Sequence, residues 1–157
     1  MKQISLLVAG AALLAAPGIA ATRSPQVAVP VATVNLQIAV TNVRGNAGRI
    51  HVDLCRQHEF LKTCSIEAEV KAVKGTTIVT VPNVQPGDYA AQVSYDENGN
   101  GKVDRAIFGI PKEGVGFSRD APIRLSPPKW QDAMFSLSGD TSITLRLRYF
   151  MGGDNKP

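Results

Sequence analysis

An all-β fold, an antiparallel β-sandwich of about seven strands, is predicted by three features of this 157-residue sequence. Short segments alternate apolar and polar residues; clusters of Gly, Pro and Asn separate them; and no helical period is sustained. The hydrophobic fraction of 44% suits one domain with a real core.

The elements follow in order. Residues 33–43 (TVNLQIAVTNV) put Val34, Leu36, Ile38 and Val40 on one face, and RGNAG then turns the chain. In RIHVDLC, Ile50, Val52 and Leu54 oppose His51, Asp53 and Cys55. TTIVTV (76–81) is rich in β-branched residues, DYAAQVSY alternates from Tyr89 to Tyr95, and SITLRLRYF alternates from Ile143 to Tyr149. APIRL (121–125) is a short strand candidate, and only EFLKTCSIEAEVKAV (59–73) has any helical potential. In VQPGDY, Pro86 presets φ and Gly87 accepts a positive φ, so a tight turn delivers Tyr89 into the core with its hydroxyl near that turn. A Pro-Gly-x-Tyr lead into a strand resembles immunoglobulin-like and prealbumin-like modules.

The N-terminus sets the address. Lys2, an apolar run over residues 4–16, then Pro17 and GIAA form a secretory signal peptide with cleavage expected after Ala20 or Ala21. The division expected is signal peptide 1–21, linker 22–32, β-sandwich domain 33–150 and a disordered tail 151–157, with no transmembrane segment after cleavage. The formal charge is +4, but its basic residues are scattered, so nucleic acid is not an expected partner; an unidentified envelope partner or ligand is.

Cys55 and Cys64 bracket CRQHEFLKTC. Export favours a disulfide between them, and the x8 spacing departs from the knuckle of a structural zinc site even with His51 and His58 nearby.

Residues 96–104 (DENGNGKVD) carry most of the chemistry. Asp96, Asn98 and Asn100 stand at positions 1, 3 and 5, Gly101 at 6 and Asp104 at 9, so alternate side chains can aim hard oxygens at one centre, with the Lys102 carbonyl as a position-7 ligand. An EF-hand is excluded, because its position 12 falls on Ile107. A Ca²⁺ loop with a dissociation constant of about 10⁻⁴–10⁻³ M and a plain polar hairpin both remain open. In FGIPKEGVGFS (108–118), Phe108, Ile110 and Phe117 are expected to pin an Ω-type loop, and Glu113 can approach the acidic stretch beside Lys112.

DENGNGKVD running into FGIPKEGVGFS, preceded by PGDYAAQVSY and a signal peptide, resembles the Domain of Unknown Function 2141 (DUF2141) family of exported bacterial proteins over about residues 34–150. The resemblance implies a small secreted β domain and supplies no activity. Tyr95 stands where members often carry a histidine, and the cysteine pair is not part of the motif.

No nucleophile is recognisable: Ser118 lacks the Gly-x-Ser-x-Gly elbow. His51 with Asp53, and Arg146 with Arg148, each share a strand face. The expectation is an exported binding or accessory module of the cell envelope, periplasmic or secreted. The alternatives are a metal-dependent hydrolase using the loop carboxylates and a purely structural domain.

Overall fold

The computed structural model describes residues 32–105, 110–124 and 126–151. The predicted leader, the linker as far as residue 31, Phe108 and the tail from residue 152 lie outside the described residues.

Eight strands occur among the described residues: β1 (Val34–Val43), β2 (Arg49–Cys55), β3 (Ile66–Lys71), β4 (Gly75–Val84), β5 (Gly87–Asp96), β6 (Gly114–Phe117), β7 (Phe135–Leu137) and β8 (Thr141–Arg146). They form two open sheets. One runs β4-β1-β8; the other runs β3-β2-β5-β6, with β7 also pairing β5. The fold is the expected all-β sandwich, and all pairings but one are antiparallel. The exception is β8, which lies parallel to β1 with Ile38 opposite Ile143. Alternation within a strand fixes its buried face but says nothing about its direction beside a neighbour.

The predicted alternation is what builds the core. Leu36, Ile38 and Val40 from one sheet meet Ile50, Val52, Leu54, Tyr89 and Val93 from the other, all almost fully buried. Each of the three tyrosines also ties down a loop. The hydroxyl of Tyr89 donates to the Gln85 carbonyl at 2.8 Å, four residues back, as expected for a corner tyrosine. Tyr95 donates to Ala47 at 2.8 Å, and Tyr149 to Asn42 at 3.0 Å. Burial of the ring end of the core therefore leaves no stranded hydroxyl.

Several local expectations are corrected. The stretch with helical potential folds as a turn followed by β3, because Ile66, Ala68 and Val70 alternate with Glu67, Glu69 and Lys71 and the strand finds β2 as a partner. The segment Ala121–Arg124 is irregular rather than a strand. Residues 114–117 are strand β6 rather than part of an Ω-loop, and Ile110 is exposed instead of pinning anything. β6 can lie there because it is glycine-rich: a Cβ at Gly114 would sit 2.6 Å from the Tyr149 ring, and one at Gly116 would sit 2.8 Å from the Arg146 carbonyl. Val115 and Arg148 then exchange backbone bonds at 3.0 and 2.8 Å, fastening the chain beyond β8 to the larger sheet.

A second, smaller apolar cluster covers one end of the larger sheet's outer face. Phe60, Ala90, Ala121 and Ala133 pack with Phe117 and Trp130, the last from a four-residue helix, α1 (Trp130–Ala133). Phe60 meets both Phe117 and Trp130 edge-on, with centroids 5.9 and 5.6 Å apart.

Candidate functional site

β5 ends at Asp96, and the chain turns directly into the acidic loop. Asp96 is buried and spends its carboxylate on the loop's backbone: Oδ1 accepts the N–H groups of Gly99 (2.8 Å) and Asn100 (3.1 Å), and Oδ2 accepts Gly101 (2.7 Å). Positive φ at Gly99 and Gly101, both 73°, lets those N–H groups turn inward. Asn98 and Asn100 donate from Nδ2 to the two oxygens of Asp104, at 2.8 and 3.1 Å. Their own Oδ1 atoms accept the N–H groups of Asn100 and Lys102. The buried carboxylate of Glu113 lies beneath, accepting the N–H of Glu97 through Oε1 (3.1 Å) and of Asp104 through Oε2 (3.0 Å). The six residues singled out in sequence, Asp96, Asn98, Asn100, Lys102, Asp104 and Glu113, thus belong to one hydrogen-bonded assembly. A cation there would have to meet the amide oxygens of Asn98 and Asn100 after their side chains turn over. The carboxylate of Asp104 accepts from the side-chain amides of Asn98 and Asn100, whereas those of Asp96 and Glu113 accept from backbone N–H groups.

A cleft of about 720 Å³ lies beside this loop on the outer face of the larger sheet. Its floor comes from Gln92 and Ser94 of β5 and Val115 and Phe117 of β6, all of which point away from the main core. Leu61 and Lys62 stand on one side; Val103, Arg105 and Pro111, continuing the acidic loop, stand on another. Ile123 and Arg124 contribute to the lining as well. Among the described residues its charged groups are Lys62, Arg105, Arg124 and Asp53. The Arg105–Pro111 bridge and the bond from Lys112 N–H to the Asp104 carbonyl (2.9 Å) tie the acidic loop to this wall.

The Leu61–Lys62 wall is fixed by the Cys55–Cys64 disulfide, whose Cα atoms are 4.9 Å apart. Gln92 reaches across to it, accepting the Leu61 N–H at 3.0 Å and donating to Cys64 Sγ at 3.5 Å. Within the turn, Glu59 accepts the Arg56 N–H at 2.9 Å, and this bond holds its carboxyl below the usual range.

Farther along the same face, His51 Nε2 lies 3.0 Å from Asp53 Oδ1, so the two residues that share a strand face also meet. Burial pushes the Asp53 carboxyl up; the nearby His51 opposes that rise and Glu67 adds to it. Ser118 is buried, bonded to the Ala91 backbone N–H and the Ala133 carbonyl, and its hydroxyl acts as a splint between β5 and α1. Arg148 donates to the Asp120 carbonyl at 3.0 Å, and Asp120 Oδ1 accepts the Arg146 N–H.

The cleft residues Gln92, Ser94, Arg105 and Arg124, and the carboxylates Glu67 and Glu69, were not identified from the sequence. The available signals were the alternation in DYAAQVSY, which puts Gln92 and Ser94 opposite the core face, and that in IEAEVK, which puts Glu67 and Glu69 on a polar face.

The model of one protein family, described as an uncharacterized protein conserved in bacteria (DUF2141), matches residues 38–144. No curated protein and no solved structure matches the chain.

Proposed function

Because the chain belongs to the DUF2141 family, whose members are uncharacterized, we propose from its own geometry that it is an exported binding module of the cell envelope whose ligand is a small amphipathic anion. One observation carries this reading: the 720 Å³ cleft, lined by Leu61, Val115, Phe117 and Ile123 and by the charged groups of Lys62, Arg124 and Asp53. Its volume falls within the range of small-molecule sites, which are mostly apolar with a few placed polar groups. An apolar tail fits against β6 and Ile123, and the cationic Lys62 and Arg124 beside Asp53 favour an anionic head.

Ca²⁺ in the acidic loop is part of the proposal. Asp96, Asp104 and the amide oxygens of Asn98 and Asn100, with the Lys102 carbonyl, are hard ligands of the kind that ion takes. Glu113 serves there as a buttress, its oxygens accepting the N–H groups of Glu97 and Asp104 at the two ends of the loop. The ion would steady the segment that leads into Val103 and Arg105, and so one wall of the cleft. Export is supported by the leader pattern in residues 1–21 and by the Cys55–Cys64 disulfide. Among the described residues the cleft lining includes none of Asp96, Asp104 and Glu113, the loop carboxylates on which the alternative hydrolase would depend.

The test is chemical-shift mapping of the processed protein with decanoate, with decanol as the uncharged control. Decanoate should perturb Gln92, Ser94, Val115 and Phe117, and Lys62→Glu combined with Arg124→Glu should weaken it well beyond its effect on decanol. Perturbations scattered over the surface, or equal affinity for both probes in the charge-reversed variant, would refute the reading.

A further inference from the structure

On the outer face of the larger sheet, one ligand atom from each of His51, Asp53 and Glu67 lies within 4.8 Å of the other two. We propose that these three residues form a binding site for a divalent transition metal of the zinc class, separate from the acidic loop.

Strand geometry brings them together. His51 and Asp53 are two apart on β2 and therefore share a face, and Glu67 of β3 stands directly opposite Asp53. The donor set is one imidazole and two carboxylates. Imidazole suits zinc, copper and nickel, whereas calcium and magnesium take oxygen. His51 and Asp53 are already 3.0 Å apart, and a modest inward turn of the exposed Glu67 side chain would close the set around ligand bonds of about 2.0–2.2 Å.

Charge argues in the same direction. Carboxylates directly opposite one another on neighbouring strands repel. Asp53 and Glu67 are such a pair, with His51 the neighbour that meets Asp53. The guanidinium of Arg49, on the same strand as Asp53, is paired with Glu69. Glu69 in turn lies across from His51, its Oε2 3.9 Å from Nδ1. A small approach of Glu69 to Nδ1 would let it hold the ring with Nε2 toward Asp53, the arrangement by which an outer carboxylate commonly sets a metal-binding histidine. A dication would relieve the repulsion that the fold leaves in place. Three protein ligands also leave a coordination position open, and Asp53 is shared with the cleft lining.

The site stands independently of the cleft's ligand and of the calcium loop, and its test separates it from both. Untagged processed protein, stripped with chelator, is titrated with Zn²⁺ by calorimetry, and with Cu²⁺ by electron paramagnetic resonance. One equivalent of Zn²⁺ should bind, and the Cu²⁺ spectrum should show coupling to a single imidazole nitrogen. His51→Ala and Glu67→Gln should abolish the binding, and Glu69→Gln, which acts only through the ring, should weaken it by roughly tenfold. His58→Ala, at the other histidine in the chain, and Asp96→Asn should leave it unchanged. Melting curves of the metal-free variants establish that each is folded; Glu67 and Glu69 are on the surface, so Glu67→Gln keeps the test intact even if His51→Ala does not fold. Absence of Zn²⁺ binding, binding that survives Glu67→Gln, or a copper signal that disappears only with His58 would overturn the proposal.

Discussion

Glu113 accepts the backbone N–H of Asp104 at 3.0 Å, across nine residues of chain, while its other oxygen accepts the N–H of Glu97 at 3.1 Å. One buried carboxylate thus clamps both ends of the acidic loop and links that loop to β6, which begins at the next residue. The hydrogen-bonded loop, the cleft wall that follows it and the edge of the larger sheet are mechanically one unit.

Hydrogen bonds to a charged acceptor contribute about 1.5–3 kcal/mol each. Glu113→Ala should therefore lower the unfolding free energy by about 2–3 kcal/mol once some solvent rescue of the freed N–H groups is allowed. Glu113→Gln, which keeps one acceptor, should lose less. Urea denaturation measures both, and amide exchange at Glu97 and Asp104 should accelerate in each variant. Unchanged exchange would show that the clamp is dispensable.

Calcium should act through mass action. At tenfold its dissociation constant, an ion that binds only the folded state adds about 1.4 kcal/mol. Millimolar Ca²⁺ should raise the melting temperature, and Mg²⁺ should do so much less because it dehydrates reluctantly and demands octahedral geometry. Asp104→Asn should remove the increment. A melting curve that Ca²⁺ leaves unmoved, with no heat on titration, would leave the loop a hydrogen-bonded turn.

The disulfide should matter twice. Closing a loop this short stabilises by about 2.5–3 kcal/mol in the chain-entropy estimate, so Cys55→Ser with Cys64→Ser should destabilise by a similar amount. The same change loosens the segment bearing Leu61 and Lys62, which Gln92 and the packing of Phe60 would still hold in part. Decanoate affinity should fall in parallel. Thiol labelling of the denatured, unreduced wild type should find no free cysteine.

Tyr149 offers a spectroscopic check on the core. Burial, the main cause, pushes its phenol up to about 12 from an ordinary 10.0. Below pH 10 both folded and unfolded chains keep the proton. Between 10 and 12 the unfolded chain releases it and the folded one does not, so stability falls as pH rises through that window. Absorbance titration should show the last tyrosine ionising near 12, and Tyr149→Phe should remove that step and flatten the alkaline loss. At neutral pH the same variant should cost about 1 kcal/mol for the lost bond to the Asn42 carbonyl.

The sequence by itself determined what depends on local period and local chemistry. Alternation placed Ile50, Val52 and Leu54 in the core and His51 and Asp53 on the opposite face, because side chains of a strand alternate whatever its neighbours are. The Pro-Gly turn before Tyr89, the clustering of Asp96 with Asn98 and Asn100, and the sandwich class were legible for the same reason. Relationships across the sheet were decided only by tertiary structure. That β3 is a strand at all depends on β2 offering it a ladder, and that Glu67 faces Asp53 depends on the register between them. The parallel seating of β8, the narrow approach of Gly114 to Tyr149 and the cleft between two loops 40 residues and more apart in the chain are likewise long-range contacts. Periodicity tells each strand which face to bury, but pairing energies between distant segments select the partner and register, and those pairings are what assemble the candidate sites.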